Sequence, residues 1–186
     1  MKLTRENLRI LLVDDDENDT ELLRFALVGA GFKHPFTHFR NGAITLEYFK
    51  YTKATGSLVP HIILLDINMP LIDGVRALRR LREASSFRNL PVIILSSNED
   101  PAKRREAAEL GIFRFLKKLP TCANVISALE DFIGLYNNET ASAVAQPDIA
   151  SWDRSKGLPL KGKTRDKRDR DKIEFGLRSR PRIHLR

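Results

Sequence analysis

The sequence predicts an α/β fold, a doubly wound sheet of five parallel strands, followed by a disordered basic C-terminal tail. Three observations predict it. Between residues 8 and 136, short apolar runs alternate with stretches of helical periodicity. The central runs are apolar at nearly every position, which is typical of strands with helices on both faces. From residue 137 onward the apolar residues are isolated, so this segment cannot offset the entropy of ordering.

The first half of this fold is expected to contain two strands and two helices. In order, we expect a strand over residues 8–13, a helix over 18–29, a short strand over 37–39 and a helix over 43–54. Asn18 or Asp19 can cap the first helix with a side-chain oxygen. Gly29 and Gly31 end that helix, and a turn at Asn41 leads into the next one.

The second half contains three strands, each followed by a helix. We expect strands over residues 61–65, 91–95 and 112–116, and helices over 73–84, 100–110 and 121–136. Asp100 caps its helix, Pro101 suits the first helical position and Gly111 follows the end. Thr121 caps the last helix, which runs to about Tyr136.

The composition of the 186 residues fits one globular domain with an extension. We assign residues 6–136 to the domain and 137–186 to the tail. The single cysteine, Cys122, excludes a disulfide framework. No run is long and apolar enough for a transmembrane helix, and the N-terminus has no secretory signal pattern, so we expect a cytoplasmic protein without membrane contact.

The positive charge is concentrated in the tail. Residues 137–186 carry 13 basic and 7 acidic residues, whereas residues 1–136 carry 19 basic and 17 acidic ones. A basic extension can bind nucleic acid or an acidic protein partner. Interleaved acidic residues weaken its field, so a solvated extension of mixed charge is the third interpretation.

Polar side chains follow four of the predicted strands, at the sheet edge where ligands bind in such folds. Asp14 and Asp15 follow the first strand and Asp66 the third; Ser96 and Lys118 follow the fourth and fifth. Two carboxylates about 4 Å apart repel by about 4 kcal/mol at an effective dielectric near 20, so a cation is expected among them. Oxygen ligands with an open side suit Mg²⁺. A carboxylate nucleophile, a divalent ion, an ammonium and a hydroxyl together suit phosphoryl transfer.

Four segments resemble the receiver domain of two-component response regulators: ILLVDDDEND, IILLDINMPLIDG, PVIILSS and FRFLKK, in this order. The resemblance covers about residues 6–136 and implies the flavodoxin-like receiver fold. It implies that Asp66 is the phospho-acceptor. It further implies that Asp15 binds Mg²⁺ directly, that Asp14 acts largely through water, and that the backbone carbonyl of Asn68 is a further ligand.

The resemblance also implies a switch and its partners. Ser96 would take the switch-hydroxyl role, Phe115 the aromatic role, and Lys118 would pair with the phosphoryl group or with Asp66. A histidine kinase would be the donor, as for chemotaxis-type or phytochrome-associated regulators. The surface of residues 101–136 would change for a downstream protein or a second copy, and no independent turnover of a substrate is expected.

The sequence departs from the family pattern after the fifth strand. The family usually has Pro directly after the lysine, whereas Leu119 follows Lys118 here and Pro120 comes one residue later. A cis bond before Leu119 would cost about 3–4 kcal/mol, so we expect a rebuilt loop. Asn98, two residues after Ser96, is expected to face the site and influence water access.

Three alternative functions would each require a different feature of the sequence. An Asp-nucleophile phosphatase would need the pattern DxDxT, but position 18 is Asn. A nucleotide-binding protein would need a Gly-rich phosphate loop after the first strand, and none is present there. A phosphorylation-gated nucleic-acid-binding module would act through the basic tail, and it stays open as the alternative function.

Overall fold

The computed structural model describes residues 2–97, 100–118, 122–140, 152–153 and 158–159. A five-stranded parallel sheet has the order β2-β1-β3-β4-β5. Its strands are β1 (Ile10–Val13), β2 (Thr37–Phe39), β3 (Ile62–Asp66), β4 (Val92–Ser96) and β5 (Arg114–Lys117). The helices are α1 (Glu17–Gly29), α2 (Gly42–Thr55), α3 (Gly74–Glu83), α4 (Pro101–Glu109) and α5 (Ala123–Thr140). The doubly wound, flavodoxin-like receiver fold is confirmed.

Helices cover both faces of the sheet. Because side chains alternate along a strand, Ile10 and Leu12 enter one core, whereas Leu11 and Val13 enter the other. The first core is completed by α1 and α5, and the second by α2, α3 and α4. Every residue of β1, β3 and β4 is buried, which confirms the prediction of strands covered on both faces.

The start of α1 differs from the prediction. Asp16 is the N-cap, and its side chain accepts hydrogen bonds from the backbone N–H groups of Asn18 (2.8 Å) and Asp19 (3.2 Å). The expectation that Asn18 or Asp19 caps the helix was therefore wrong, because both already lie within its first turn. At the other end Gly29 is helical, and Gly31 takes the left-handed conformation with φ 84°.

The last helix continues beyond the predicted end at Tyr136 and includes residues 137–140. Asn137 explains part of this extension, because its side-chain oxygen accepts from Leu3 N (2.7 Å) and its amide donates to Leu3 O (2.8 Å). Four residues that we assigned to the tail are thus helical, and the boundary between domain and tail stays a prediction. The cap at Thr121 lies outside the described residues.

Within the predicted tail, the structure describes two short antiparallel strands, β6 (Trp152–Asp153) and β7 (Leu158–Pro159). The remainder of residues 141–186 lies outside the described residues. Nucleic-acid binding through the tail therefore stays a prediction. None of the described helices is long and apolar enough to cross a membrane.

Candidate functional site

Three carboxylates meet at the carboxyl ends of β1 and β3. These strands are adjacent and parallel, with Val13 opposite Leu65, so the residues that follow become neighbours. Asp14, Asp15 and Asp66 each place a carboxylate oxygen within 4.8 Å of the others. Asp14 is 2% exposed and Asp66 4% exposed, whereas Asp15 faces solvent.

The ammonium group of Lys118 lies among the carboxylates. Its Nζ atom is 2.8 Å from Asp14 Oδ2 and 3.0 Å from both Asp66 Oδ2 and Asp19 Oδ2. The backbone N–H of Lys118 donates to Ser96 O (2.9 Å), which fixes the end of β5 against β4. The structure thus places Lys118 in the site, while Lys117 is exposed.

Burial and charge oppose each other in this cluster. Burial raises the pKa of the Asp14 carboxyl, although the hydrogen bond and charge of Lys118 act in the opposite direction. Burial alone would lower the pKa of the Lys118 ammonium, but its hydrogen bond to Asp14 and the charges of Asp66 and Asp14 together raise it. Lys118 is therefore fully charged at neutral pH and holds together carboxylates that repel one another.

The backbone of Asp66 is fixed from behind by the start of α3. A Cβ atom added at Gly74 would lie 2.0 Å from the carbonyl oxygen of Asp66, so only glycine fits there. Gly74 N also donates to Ile67 O (3.0 Å), and Asp73 caps α3 by accepting from Arg76 N (2.8 Å). The Asp-Gly pair of the sequence signature therefore allows α3 to start directly against the predicted phospho-acceptor.

Two further predicted site residues lie on neighbouring strands. Ser96 ends β4 and is 1% exposed. Phe115 on β5 is partly buried, and the guanidinium of Arg104 lies 5.1 Å from its ring centroid. Arg104 belongs to α4, so this helix covers the aromatic side chain predicted to move in the switch.

The donor set suits a magnesium ion. Three carboxylates with one exposed member present oxygen ligands only, and Mg²⁺ prefers such ligands together with water and phosphate. The N–H of Asn68 donates to Asp66 Oδ1 (3.2 Å), so the loop that carries the predicted carbonyl ligand lies at the site. Ligation by the Asn68 carbonyl stays a prediction, and Asn98 and Leu119 lie outside the described residues.

The sequence analysis missed two residues that support this cluster. Asp19 reaches Lys118 from the first turn of α1, and His38 Nε2 lies 2.8 Å from Asp14 O and 3.3 Å from Thr20 Oγ1. Asp19 could have been found from its position at the start of the predicted first helix, close in sequence to Asp14 and Asp15. For His38 the sequence carries no signal, because β2 and β1 meet only in the folded sheet.

The chain matches the family of response regulator receiver domains over residues 10–130. This chain belongs to that family. Receiver domains are phospho-accepting signalling modules that take phosphoryl groups from histidine kinases and bind Mg²⁺ at an acidic pocket. The predicted receiver class of two-component systems is thereby confirmed.

Its curated relatives include long and short proteins. The DNA-binding transcriptional regulator NtrC of Escherichia coli strain K12 is 32% identical over 130 residues, which are 70% of this chain and 26% of that protein. The probable chemotaxis protein CheY of Rhizobium etli is 30% identical over 129 residues, 69% of this chain and 95% of that protein. The chain thus spans about a quarter of the first relative and nearly all of the second.

Solved structures give the same fold. The bacteriophytochrome response regulator RtBRR is 29% identical with a TM-score of 0.59, over 67% of this chain and 76% of that one. The bacteriophytochrome response regulator AtBRR is 27% identical with a TM-score of 0.58, over 68% of this chain and 92% of that one. Both similarities are confined to about two thirds of this chain.

Proposed function

We propose that this chain is a phospho-accepting response regulator in which Asp66 takes a phosphoryl group from a histidine kinase. The observation that carries the proposal is the position of Lys118 Nζ, 3.0 Å from Asp66 Oδ2 and 2.8 Å from Asp14 Oδ2. A fixed cation touching a buried carboxylate nucleophile is what transfer of an anionic group to that carboxylate requires.

In the proposed reaction an oxygen of Asp66 attacks the phosphorus of a phosphohistidine. A P–O bond forms, the P–N bond breaks, and the electron pair stays on the imidazole nitrogen of the donor. After the transfer, the Lys118 ammonium would pair with the phosphoryl oxygens as well as with the Asp66 side chain. Gly74 keeps the acceptor backbone in place, because α3 contacts the Asp66 carbonyl directly.

The acidic cluster would hold the magnesium ion. Asp14, Asp15, Asp66 and the Asn68 carbonyl are the proposed ligands, and the bound ion would supply charge neutralisation on the phosphoryl oxygens. The Lys118 ammonium would neutralise part of the negative charge that the ion leaves on the carboxylates.

Phosphorylation would reach the surface through β4 and β5. We expect the hydroxyl of Ser96 to bind a phosphoryl oxygen and Phe115 to turn inward into the space that this movement opens. A near-complete shift of the population requires that the phosphoryl group favour the active form by about 5.5 kcal/mol. The surface of residues 101–136 would then bind a downstream protein or a second copy.

Incubation with acetyl phosphate tests the acceptor. Wild type should gain the mass of one phosphoryl group only when Mg²⁺ is present, and Asp66→Asn should gain none, read by intact mass spectrometry. Asp131→Asn is a matched control, because this exposed carboxylate on α5 pairs with Arg114. Equal labelling of Asp66→Asn and wild type would refute the assignment of the acceptor.

The donor kinase is a separate part of the proposal. A phytochrome-type histidine kinase is the donor to test first, because the similar proteins RtBRR and AtBRR are bacteriophytochrome response regulators. A chemotaxis-type kinase is the second candidate, given the similarity to the probable CheY of Rhizobium etli. Initial rates of phosphotransfer from each purified kinase separate the two. The cytoplasm is the proposed location of this response regulator.

A further inference from the structure

A second lysine lies near the site and extends from a different element than Lys118. Lys103 lies in the first turn of α4, where its backbone N–H donates to the capping residue Asp100 (3.4 Å). Its side-chain Nζ crosses to the loop after β3 and donates to Asn68 Oδ1 (2.9 Å). Because Asn68 N in turn donates to Asp66 Oδ1 (3.2 Å), the Lys103 ammonium is linked to the acceptor through one intervening residue.

Helix stability does not account for a lysine at this position. The macrodipole disfavours cations in the first turn of a helix, and Lys103 stands there. The hydrogen-bond partner of its ammonium group is the neutral amide of Asn68, whereas Glu106 on the same helix pairs with Arg79 of α3. Lys103 thus brings a positive charge close to the site, where its partner is an uncharged acceptor.

We propose that Lys103 is a second phosphoryl-binding cation, which moves from the Asn68 amide to a phosphoryl oxygen when Asp66 is phosphorylated. A phosphoryl group carries nearly two negative charges and three strong acceptor oxygens, so the Lys103 ammonium gains a full charge–charge attraction there that the neutral amide oxygen of Asn68 does not supply. In this exchange the flexible Lys103 side chain turns, and the new contact draws the first turn of α4 toward the phosphoryl group. This inference deepens the proposed function and rests on it.

The exchange would give the first turn of α4 a direct response to phosphorylation. Arg104, the next residue, covers the ring of Phe115 at 5.1 Å from its centroid. A movement of this turn toward the phosphoryl group therefore also changes the cover over Phe115. Lys118 cannot supply this route, because it extends from the end of β5 and holds Asp14 and Asp19 as well as Asp66.

The test compares Lys103→Met, Lys103→Arg and Arg105→Met. Arg105→Met removes one positive charge from the same helix at an exposed position, so it controls for the overall charge of α4. Affinity for beryllofluoride in the presence of Mg²⁺ is measured by NMR titration on the full chain. We expect Lys103→Met to bind about five-fold more weakly than wild type and Lys103→Arg to recover most of the loss. The Asn68 side-chain amide signal should shift on binding in wild type and much less in Lys103→Met.

Several outcomes overturn the inference. Wild-type affinity in Lys103→Met would show that the ammonium does not bind the phosphoryl mimic. An equal loss in Arg105→Met would assign the effect to the charge of the helix in general. If wild type binds beryllofluoride and accepts phosphate, these results reject only the role of Lys103, and the proposed function stands. If wild type does neither, the proposed function is rejected as well.

Discussion

The two ends of the parallel sheet use their polar residues in opposite ways. At the carboxyl end, two buried carboxylates and one ammonium share a small volume, and their charges do not balance. At the amino end, the ring of His61 accepts from Arg9 N (2.9 Å), and Arg9 Nε donates to Val59 O (3.0 Å). There a neutral imidazole and backbone groups satisfy one another.

The difference shows that the carboxyl end of the sheet holds buried charges that lower the stability of the fold. Burial raises the pKa of Asp14 at the carboxyl end, which means that the folded protein holds this charge at a cost. At the amino end Asn137 ties the last turn of α5 to Leu3 with two hydrogen bonds and no charge. We therefore expect substitutions at the carboxyl end to change stability and phosphorylation together, and those at the amino end to change stability alone.

Gly74→Ala should have the largest effect. Its new methyl group would meet the Asp66 carbonyl oxygen at 2.0 Å, so α3 or the acceptor must move. We expect the free energy of unfolding to fall by about 3 kcal/mol or more, with loss of phosphorylation by acetyl phosphate. Urea denaturation and intact mass measure the two effects. The control is Gly134→Ala in α5, where no atom lies within 4 Å of the added Cβ, and which should stabilise the helix by about 0.5–1 kcal/mol.

Lys118→Met should have the next largest effect. It leaves Asp14, Asp19 and Asp66 without their shared cation, and we expect a loss of about 2 kcal/mol in the absence of metal, after allowing for partial exposure. Added Mg²⁺ should restore more stability to this variant than to wild type, because the ion can replace the missing charge. Denaturation with and without Mg²⁺ is the measurement. Lys117→Met, at the exposed neighbouring position, is the control. If it changes stability and the Mg²⁺ response as much as Lys118→Met does, the charge balance proposed for the cluster is wrong.

His61 should give a smaller effect that depends on pH. Burial, and then the charge of Arg9, lowers the pKa of His61 from 6.5 to about 4. Between these values the unfolded chain binds a proton that the folded one does not, so stability falls as the pH decreases from 6.5 to 4. We expect His61→Gln to remove about 1–2 kcal/mol of this acid destabilisation, which is less than the full pKa shift would give because the ring is partly exposed to solvent. The pH dependence of urea denaturation is the measurement. Phosphorylation by acetyl phosphate at neutral pH should be unchanged, and a parallel loss of phosphorylation would contradict the separation of the two ends.

Three consecutive aspartates show how far the sequence alone could predict this site. The apolar pattern predicted that Asp14, Asp15 and Asp66 follow strands and meet at the carboxyl edge of the sheet, and the structure has them there. The role of Asp16 was missed, because the first residue of a helix depends on backbone geometry that periodicity locates only to within a few residues. The predicted cap Asp19 was thereby free to reach Lys118.

The contacts that the sequence could not predict are those between distant elements. His38 and Asp14 are joined by the pairing of β2 with β1, and Lys103 and Asn68 by the approach of α4 to the loop after β3. Neither pair has a local pattern, because such partners are chosen by the packing of the sheet and helices. Apolar periodicity thus predicts the fold class and the strand ends, whereas the contacts that support the site residues depend on tertiary packing.

The absence of a side chain at Gly74 has a mechanical consequence. The Asp66 peptide rests directly on the first turn of α3, with no side chain between them. A group added to Asp66 therefore cannot be accommodated by recoil of this backbone. Displacement must develop on the open side of the site, toward β4, β5 and α4. Because Gly74 has no side chain, α3 supports the Asp66 backbone as a rigid wall, and movement is directed toward the opposite side of the site.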